Sequence, residues 1–263
     1  MHTAQNLVAE LEIHQFACRH DNYGFLVRDR ATGITAAIDT PDASAIRAAL
    51  TRKGWSLDFI WTTHHHDDHA GGNLELKADF GCRIVGPRAD ADRIPGIDVA
   101  VGDGDIVELG GRRAYVLDTP GHTRGHIVYV FDIDGAAFVG DTLFAMGCGR
   151  LFEGTPAQMW SSLQKLLALP DAMRVYCAHE YTQKNSQFAL TFEPGNAALA
   201  ARAVEVNRLR ANGLPTIPST IGRERQTNPF LRPDSADLQA TLGLPGAPLT
   251  EVFAETRRRR NSF

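Results

Sequence analysis

The chain has 263 residues, 43% of them apolar and 22% charged, with a formal net charge of −4. That length can bury a core in one or two domains, and the acidic balance argues against a nucleic-acid platform, which is normally basic. No apolar run approaches the roughly 18 residues of a membrane span, and residues 1–10 lack the charged start and apolar stretch of a signal peptide, so they read as a flexible extension.

The first strands are expected over 12–16, 23–28 and 34–38, separated by polar and glycine-containing turns. Asp39-Thr40-Pro41-Asp42 stops the third and caps a helix over 43–52. The β-rich run from Leu57 to Trp61 reads as a buried strand. It leads into the stretch from Thr62 to Asn73, where four histidines and two aspartates fill positions 64–69 ahead of Ala70-Gly71-Gly72. A short helix over 73–79 and a strand over 83–85 follow, the start of a strand–helix–strand rhythm.

From Asp105 the texture changes to hairpins. Strands at 106–109 and 114–117 flank Gly110-Gly111, and strands at 127–131 and 136–139 flank Asp134-Gly135, both read as two-residue turns that need positive φ. Between them the glycine-rich loop from Thr119 to His126 carries His122 and His126, and Gly140-Asp141 follows the last hairpin strand. Thr155 and Pro156 open a helix with a core-facing stripe of Met159, Leu163, Leu166 and Leu167. A strand over 174–177 ends on Ala178-His179-Glu180, after which the β signal nearly vanishes. Helices are expected over 181–192, 197–211, 236–242 and 251–259, so a domain boundary is expected just after His179, between residues 1–179 and a smaller helical domain over 180–263.

Each strand end in the first part delivers a candidate ligand: His64, His66, Asp68 and His69, then His122, Asp141 and His179. Seven N/O donors without cysteine suit zinc, iron(II) or manganese, zinc first, and make a thiolate-bound structural zinc improbable. On an extended loop alternate residues point the same way, so His64 and His66 reach one metal while Asp68 and His69, past the bend, face a second. A carboxylate bridges two metals easily, which makes Asp141 the expected bridge, with His64, His66 and His122 on the first ion and Asp68, His69 and His179 on the second. Open coordination positions mark a catalytic site, and a water between two divalent ions ionises near pH ~7 rather than ~15.7. The expected nucleophile is that metal-bridging hydroxide, directed by Asp68. His65 and His126 read as structural. Cys18, Cys82, Cys148 and Cys177 form no C-x-x-C pair, so disulfide and zinc-finger readings are weak, a reducing cytoplasm fits, and Cys148 and Cys177 read as inert core thiols.

The pattern His64-x-His66-x-Asp68-His69 with His122, Asp141 and His179 resembles the metallo-β-lactamase superfamily. This implies an α/β fold, a four-layer αββα sandwich with the metals at one edge between the sheets, followed here by the smaller α-helical C-terminal domain. Leu11 to Phe16, Asp21-Asn22-Tyr23, the run from Gly147 to Thr155, the run from Ala178 to Thr182, and Thr227-Asn228-Pro229-Phe230 narrow the resemblance to the glyoxalase II, or hydroxyacylglutathione hydrolase, family. That resemblance runs from about residue 11 to the C-terminus. It implies a thioesterase of S-(2-hydroxyacyl)glutathione, chiefly S-D-lactoylglutathione, acting as a cytoplasmic monomer with no nucleic-acid or membrane partner. It further implies that Arg150, Phe152, Tyr181, Arg257 and Arg260 hold the glutathione. Arg150 and Arg260 stand where lysines are commonest, Phe152 where a tyrosine is usual and Asn261 where an aspartate is usual; the charges are kept, but a hydroxyl contact is lost. Arginine forks suit the two carboxylates of glutathione, and Arg257 and Arg260 share one helix face. Arg258 and Arg259 read equally well as a solvated helix end. The alternative is a mononuclear-iron glutathione persulfide dioxygenase on the same scaffold, which lacks the helical tail.

Overall fold

The structure, a computed structural model, describes residues 11–263, so the extension expected over 1–10 lies outside the described residues. Two six-stranded sheets form its centre. The first runs in chain order through β1 (Leu11–Cys18), β2 (Asn22–Asp29), β3 (Thr35–Ile38), β4 (Phe59–Trp61), β5 (Arg83–Pro87) and β6 (Val99–Val101). Pairing is antiparallel as far as β3 and parallel from there, because the later strands are joined by crossovers. These crossovers carry α1 (Ala43–Lys53), capped by the Asp42 side chain, and α2 (Asp67–Ala70) with α3 (Asn73–Phe80).

The second sheet holds β7 (Ile106–Leu109), β8 (Arg112–Asp118), β9 (Ile127–Phe131), β10 (Ala136–Gly140), β13 (Arg174–Cys177) and β14 (Ser219–Thr220). A small ribbon of β11 (Leu143–Phe144) and β12 (Gly147–Cys148) projects after β10. Helix α4 (Pro156–Leu167) starts on a capping box between Thr155 and Gln158, with Pro156 at its first turn.

Period-two alternation decides which side of each strand faces which layer. In β2, Leu26 packs with Ile46, Leu50 and Leu76 of the outer helices, whereas Phe25 and Val27 join the core between the sheets. The sheets are locked together by aromatics: Trp61 of β4 stacks on Phe131 of β9 at 5.6 Å, and Phe25 meets Phe138 edge-on at 5.5 Å. Every residue of β9 and β10 is buried, as strands covered on both faces must be. Met159, Leu163 and Leu166 of α4 belong to the same core as the second sheet, giving the order helix, sheet, sheet, helix.

The tail contains α5 (Thr182–Phe192), α6 (Ala197–Ala211), α7 (Ile221–Thr227), α8 (Ala236–Leu242) and α9 (Leu249–Asn261). It departs from the sequence expectation in two places. Ser219 and Thr220 return to the second sheet as β14, paired with Val175 and Arg174 of β13. Helix α7 then follows, short and without an apolar stripe, held by Thr220 at its N-cap and by the buried Glu224. Glu224 accepts from Ser219, from the Met146 amide and from Asn228, while Asn228 donates to the carbonyls of Phe144 and Gly147. Thr227-Asn228-Pro229-Phe230 thus anchors the β11–β12 ribbon. One hairpin also differs: Phe131 pairs with Ala136, so the turn spans residues 132–135 rather than two, with only Gly135 of that turn at positive φ.

Candidate metal centre and substrate pocket

The seven expected ligands leave strand ends at one edge of the two sheets. His64, His66, Asp68 and His69 follow β4, His122 follows β8, Asp141 follows β10 and His179 follows β13. The edge is pinned by Tyr129, whose hydroxyl donates to the Thr62 carbonyl at 3.0 Å, and by the Ile127 amide donating to Thr63 at 3.0 Å. Gly140 takes φ +48°, and a Cβ there would come within 2.7 Å of both His126 Nε2 and Thr63 Oγ1, so glycine alone lets the chain turn tightly ahead of Asp141.

The structure brings all seven together. His66 Nδ1 lies 3.1 Å from the Nε2 atoms of His64 and His122. Asp68 Oδ2 lies 3.6 Å from His69 Nε2 and 3.4 Å from His179 Nε2. Asp141 sits between the two trios: Oδ2 is 3.4 Å from His122 Nε2, while Oδ1 is 3.4 Å from both His69 and His179 Nε2. Three groupings could each hold a metal ion, namely His64–His66–His122, Asp68–His69–His179 and His64–His69–Asp141. His69 Nε2 and Asp141 Oδ1 are buried and make no hydrogen bond among the described residues. Buried polar atoms are normally satisfied, and an imidazole nitrogen facing a carboxylate oxygen in such company is a donor set that fits a divalent cation.

Electrostatics favour the ligating forms of His64, His66 and Asp141. Burial, helped by the neighbouring rings, holds His64 well below 6.5, and burial with His122 and His65 pushes His66 down to about 4, so both are neutral imidazoles. Burial opposes ionisation of Asp141, but the charges of His69 and His179 outweigh it and hold its carboxyl well below the usual range. His179 is the exception: burial disfavours its charged form, yet Asp141 above all, with Asp68 and Asp21, pushes it up to about 11, so a metal ion binding there must displace its Nε2 proton. The rings are oriented from behind. His69 Nδ1 is 2.8 Å from Asp39 Oδ2, His122 Nδ1 is 2.8 Å from the Arg150 carbonyl, and His64 Nδ1 is 3.1 Å from Thr63 Oγ1. The sequence reading gave Asp39 only the end of the third strand and not this role beside His69, although its place just after β3 matches the strand-end rule that found the ligands.

His65 and His126 are placed outside the trios. Arg93 donates to His65 Nε2 at 3.1 Å. His126 is fully buried and accepts the Asp141 amide at 3.0 Å, so it supports a ligand without facing the cluster's centre.

One pocket of about 480 Å³ joins this cluster to every expected substrate residue: Arg150, Phe152, Tyr181, Arg257 and Arg260 line it with His66, Asp68, His122, Asp141 and His179. Tyr181 lies flat on His179, 4.8 Å away at 2°. Phe152, 59% exposed, stands edge-on to His66 and His122 at the rim, with the Arg150 guanidinium 5.9 Å from its ring. Arg257 is nearly buried, donates to the Cys148 carbonyl at 2.8 Å and covers Phe230. Arg260 donates to Asn185 at 3.2 Å. Arg258 and Arg259 instead pair with Glu255. Lys184, Asn185, Phe144 and Cys148 also line the pocket, and none of these was singled out for binding from sequence. All four cysteines are free and buried, and burial pushes the Cys148 thiol up to about 11.

A model of the metallo-beta-lactamase superfamily matches residues 36–179, and one of the hydroxyacylglutathione hydrolase C-terminus matches 180–263. The hydroxyacylglutathione hydrolase of Maricaulis maris is 56% identical over 256 residues, covering 97% of this chain and 100% of its own. The chain belongs to the hydroxyacylglutathione hydrolase family. That of Methylococcus capsulatus is 54% identical, over 96% of this chain and 99% of its own. Among solved structures, a metallo-beta-lactamase from Staphylococcus aureus is similar with TM-score 0.66 at 22% identity, over 96% of this chain and 72% of that one. ETHE1 from Myxococcus xanthus is similar with TM-score 0.66 at 23% identity, over 95% and 99%. Those two share the metallo-β-lactamase fold with the family. The match over 180–263 favours the hydrolase over the dioxygenase alternative.

Proposed function

We propose that the chain hydrolyses S-(2-hydroxyacyl)glutathione thioesters, chiefly S-D-lactoylglutathione to D-lactate and glutathione, the second step of methylglyoxal detoxification in the cytoplasm. The observation that carries this is the single pocket in which a histidine–aspartate cluster and a set of cations share one wall. His64, His66 and His122 would hold one divalent ion, Asp68, His69 and His179 another, and Asp141 would give one oxygen to each, with zinc as the first expectation and iron or manganese admissible. Bound there, two such ions polarise a carbonyl and bring the pKa of a water toward ~7.

The chain's own groups do the rest. Arg257 and Arg260, with Arg150, take the carboxylates of glutathione through charge-assisted hydrogen bonds, and Tyr181 and Phe152 flank the thioester. The Asp68 carboxylate, on the pocket wall, accepts a hydrogen bond from the attacking water and fixes its direction. Water oxygen adds to the thioester carbon, the C–S bond breaks, and the thiolate leaves to take up a proton. The work divides between residues 1–179, which carry the metal ligands, and 180–263, which carry Tyr181, Arg257 and Arg260, in a chain that we take to act as a monomer without nucleic-acid or membrane partner.

The test is loss of thioester absorbance from S-D-lactoylglutathione, with metal analysis and oxygen uptake on the same sample. Hydrolysis by a chain holding two ions, without oxygen consumption, is expected. A metal-loaded chain that leaves the thioester intact, or that consumes oxygen with a glutathione persulfide, overturns the proposal.

A further inference from the structure

Asp21, Asn22 and Tyr23, at the tip of the first hairpin, meet the second trio from outside the substrate pocket. They line a separate cavity of about 340 Å³. The tip is held hard against the site. Arg19 takes φ +48°, an uncommon conformation for a residue with a side chain, and donates to the Pro41 carbonyl and to Asp67. Asn22 bridges to His179 as an antiparallel partner, the Tyr23 amide donates to the Ala178 carbonyl at 2.7 Å, and the Glu180 amide donates to Asp21 at 2.9 Å. The segment that ends β13 and delivers His179 is therefore paired, residue by residue, with the hairpin tip.

The side chains continue this pairing. Asp21 Oδ1 lies 3.1 Å from His179 Nδ1, and the Asn22 amide, 5% exposed, donates to the Asp68 carbonyl at 3.1 Å and to Asp68 Oδ2 at 3.4 Å. We infer that Asp21 and Asn22 are positioning residues for the second ion. Asp21 accepts the Nδ1 proton of His179, which fixes the tautomer with a free Nε2 turned toward the cluster, and Asn22 holds the Asp68 carboxylate beside it. The inference rests on the two-ion reading above.

Its mark is selectivity. The first trio is oriented by Thr63 and by the Arg150 carbonyl, neither of which belongs to the hairpin tip. A loss confined to one ion is therefore the signature of positioning, while a general loosening of the fold would weaken both. Tyr23 supplies the control, since its hydroxyl bonds Glu180 and touches no ligand side chain.

The experiment titrates zinc from the full-length protein with a chromophoric chelator, resolving the two dissociation constants, and records thermal unfolding. Asn22→Ala and Asp21→Ala are each expected to weaken one ion by roughly ten- to a hundredfold and leave the other within about twofold. Asp21→Asn, which keeps an acceptor oxygen, restores most of that loss. Tyr23→Phe lowers the unfolding temperature and leaves both constants unchanged. Equal weakening of both ions in the alanine variants, or no weakening in either, overturns the inference while the two-ion reading stands. A wild-type chain that takes up fewer than two ions overturns both.

Discussion

Arg257 donates to the carbonyl of Cys148, 109 residues earlier in the chain, at 2.8 Å. The last helix is thus fastened to the ribbon that floors the pocket, and the cation beside it, Arg260, is left bonded to a neutral amide oxygen of Asn185. The two arginines therefore differ in kind.

Arg260→Ala is expected to raise KM for glutathione thioesters with little change in kcat, because a contact remote from the scissile bond is made equally in ground and transition states. One charge-assisted hydrogen bond is worth about 1.5–3 kcal/mol, very roughly ten- to a hundredfold in kcat/KM. A thioester lacking the glutathione carboxylates should barely notice. Arg257→Ala adds an unpaired buried carbonyl and an uncovered Phe230, so it should also lower stability by about 1–3 kcal/mol. Steady-state kinetics on both thioesters with urea unfolding separates the two arginines, and equal losses on both substrates would show that Arg260 serves folding.

Asp141 offers one oxygen to each trio. Asp141→Ala should lower the metal content of both sites and nearly abolish turnover. Elemental analysis after gel filtration decides it, and full metal content with a near-normal rate contradicts the bridge.

His65→Ala should keep both ions. His126→Ala should also keep them at saturating zinc, yet it strips the buried Asp141 amide of its acceptor and opens a cavity, costing about 2–4 kcal/mol. Urea unfolding with metal analysis tests both, and loss of one ion from either variant would mean the ligand sets are wrong.

Glu153 ties the rim loop to its neighbours: Arg93 pairs with it at 2.5 Å and the Arg124 amide donates to it. Chiefly through the Arg93 hydrogen bond, its carboxyl is lowered from 4.5 to about 2. A lowered folded-state pKa contributes stability that is complete above the unfolded value and is lost as pH falls through the folded one. The difference in unfolding temperature between wild type and Glu153→Gln should hold steady over about pH 6–8, begin to close near pH 4.5 and be lost only toward about pH 2. A difference that grows on acidification contradicts this pairing.

The ligands were legible in sequence because each follows its strand directly, and local spacing sets which way a side chain points. His64, His66, Asp68 and His69 needed only a strand and a bend. What supports them was not legible, since it comes from far along the chain. Asp39 reaches His69 across 30 positions, and Glu224 reaches Met146 across 78. Helix α7 shows the same limit. Its Arg223, Glu224 and Arg225 carry no apolar period, and the helix is explained by a buried carboxylate that finds its partners only in three dimensions. The turn after Phe131 was misjudged because Asp134-Gly135 mimics a two-residue hairpin, whereas the pairing of Phe131 with Ala136 closes a longer one.

Cys148 stands on the wall of a pocket proposed to bind a thioester. A thiolate there would compete with water, taking the acyl group by transthioesterification and stalling the chain as an acylated dead end. Burial keeps this sulfur a thiol, its pKa pushed up to about 11, above the ordinary thiol range. The same protonation slows attack of this sulfur on glutathione disulfide, an exchange that would cap it as a mixed disulfide and release one glutathione.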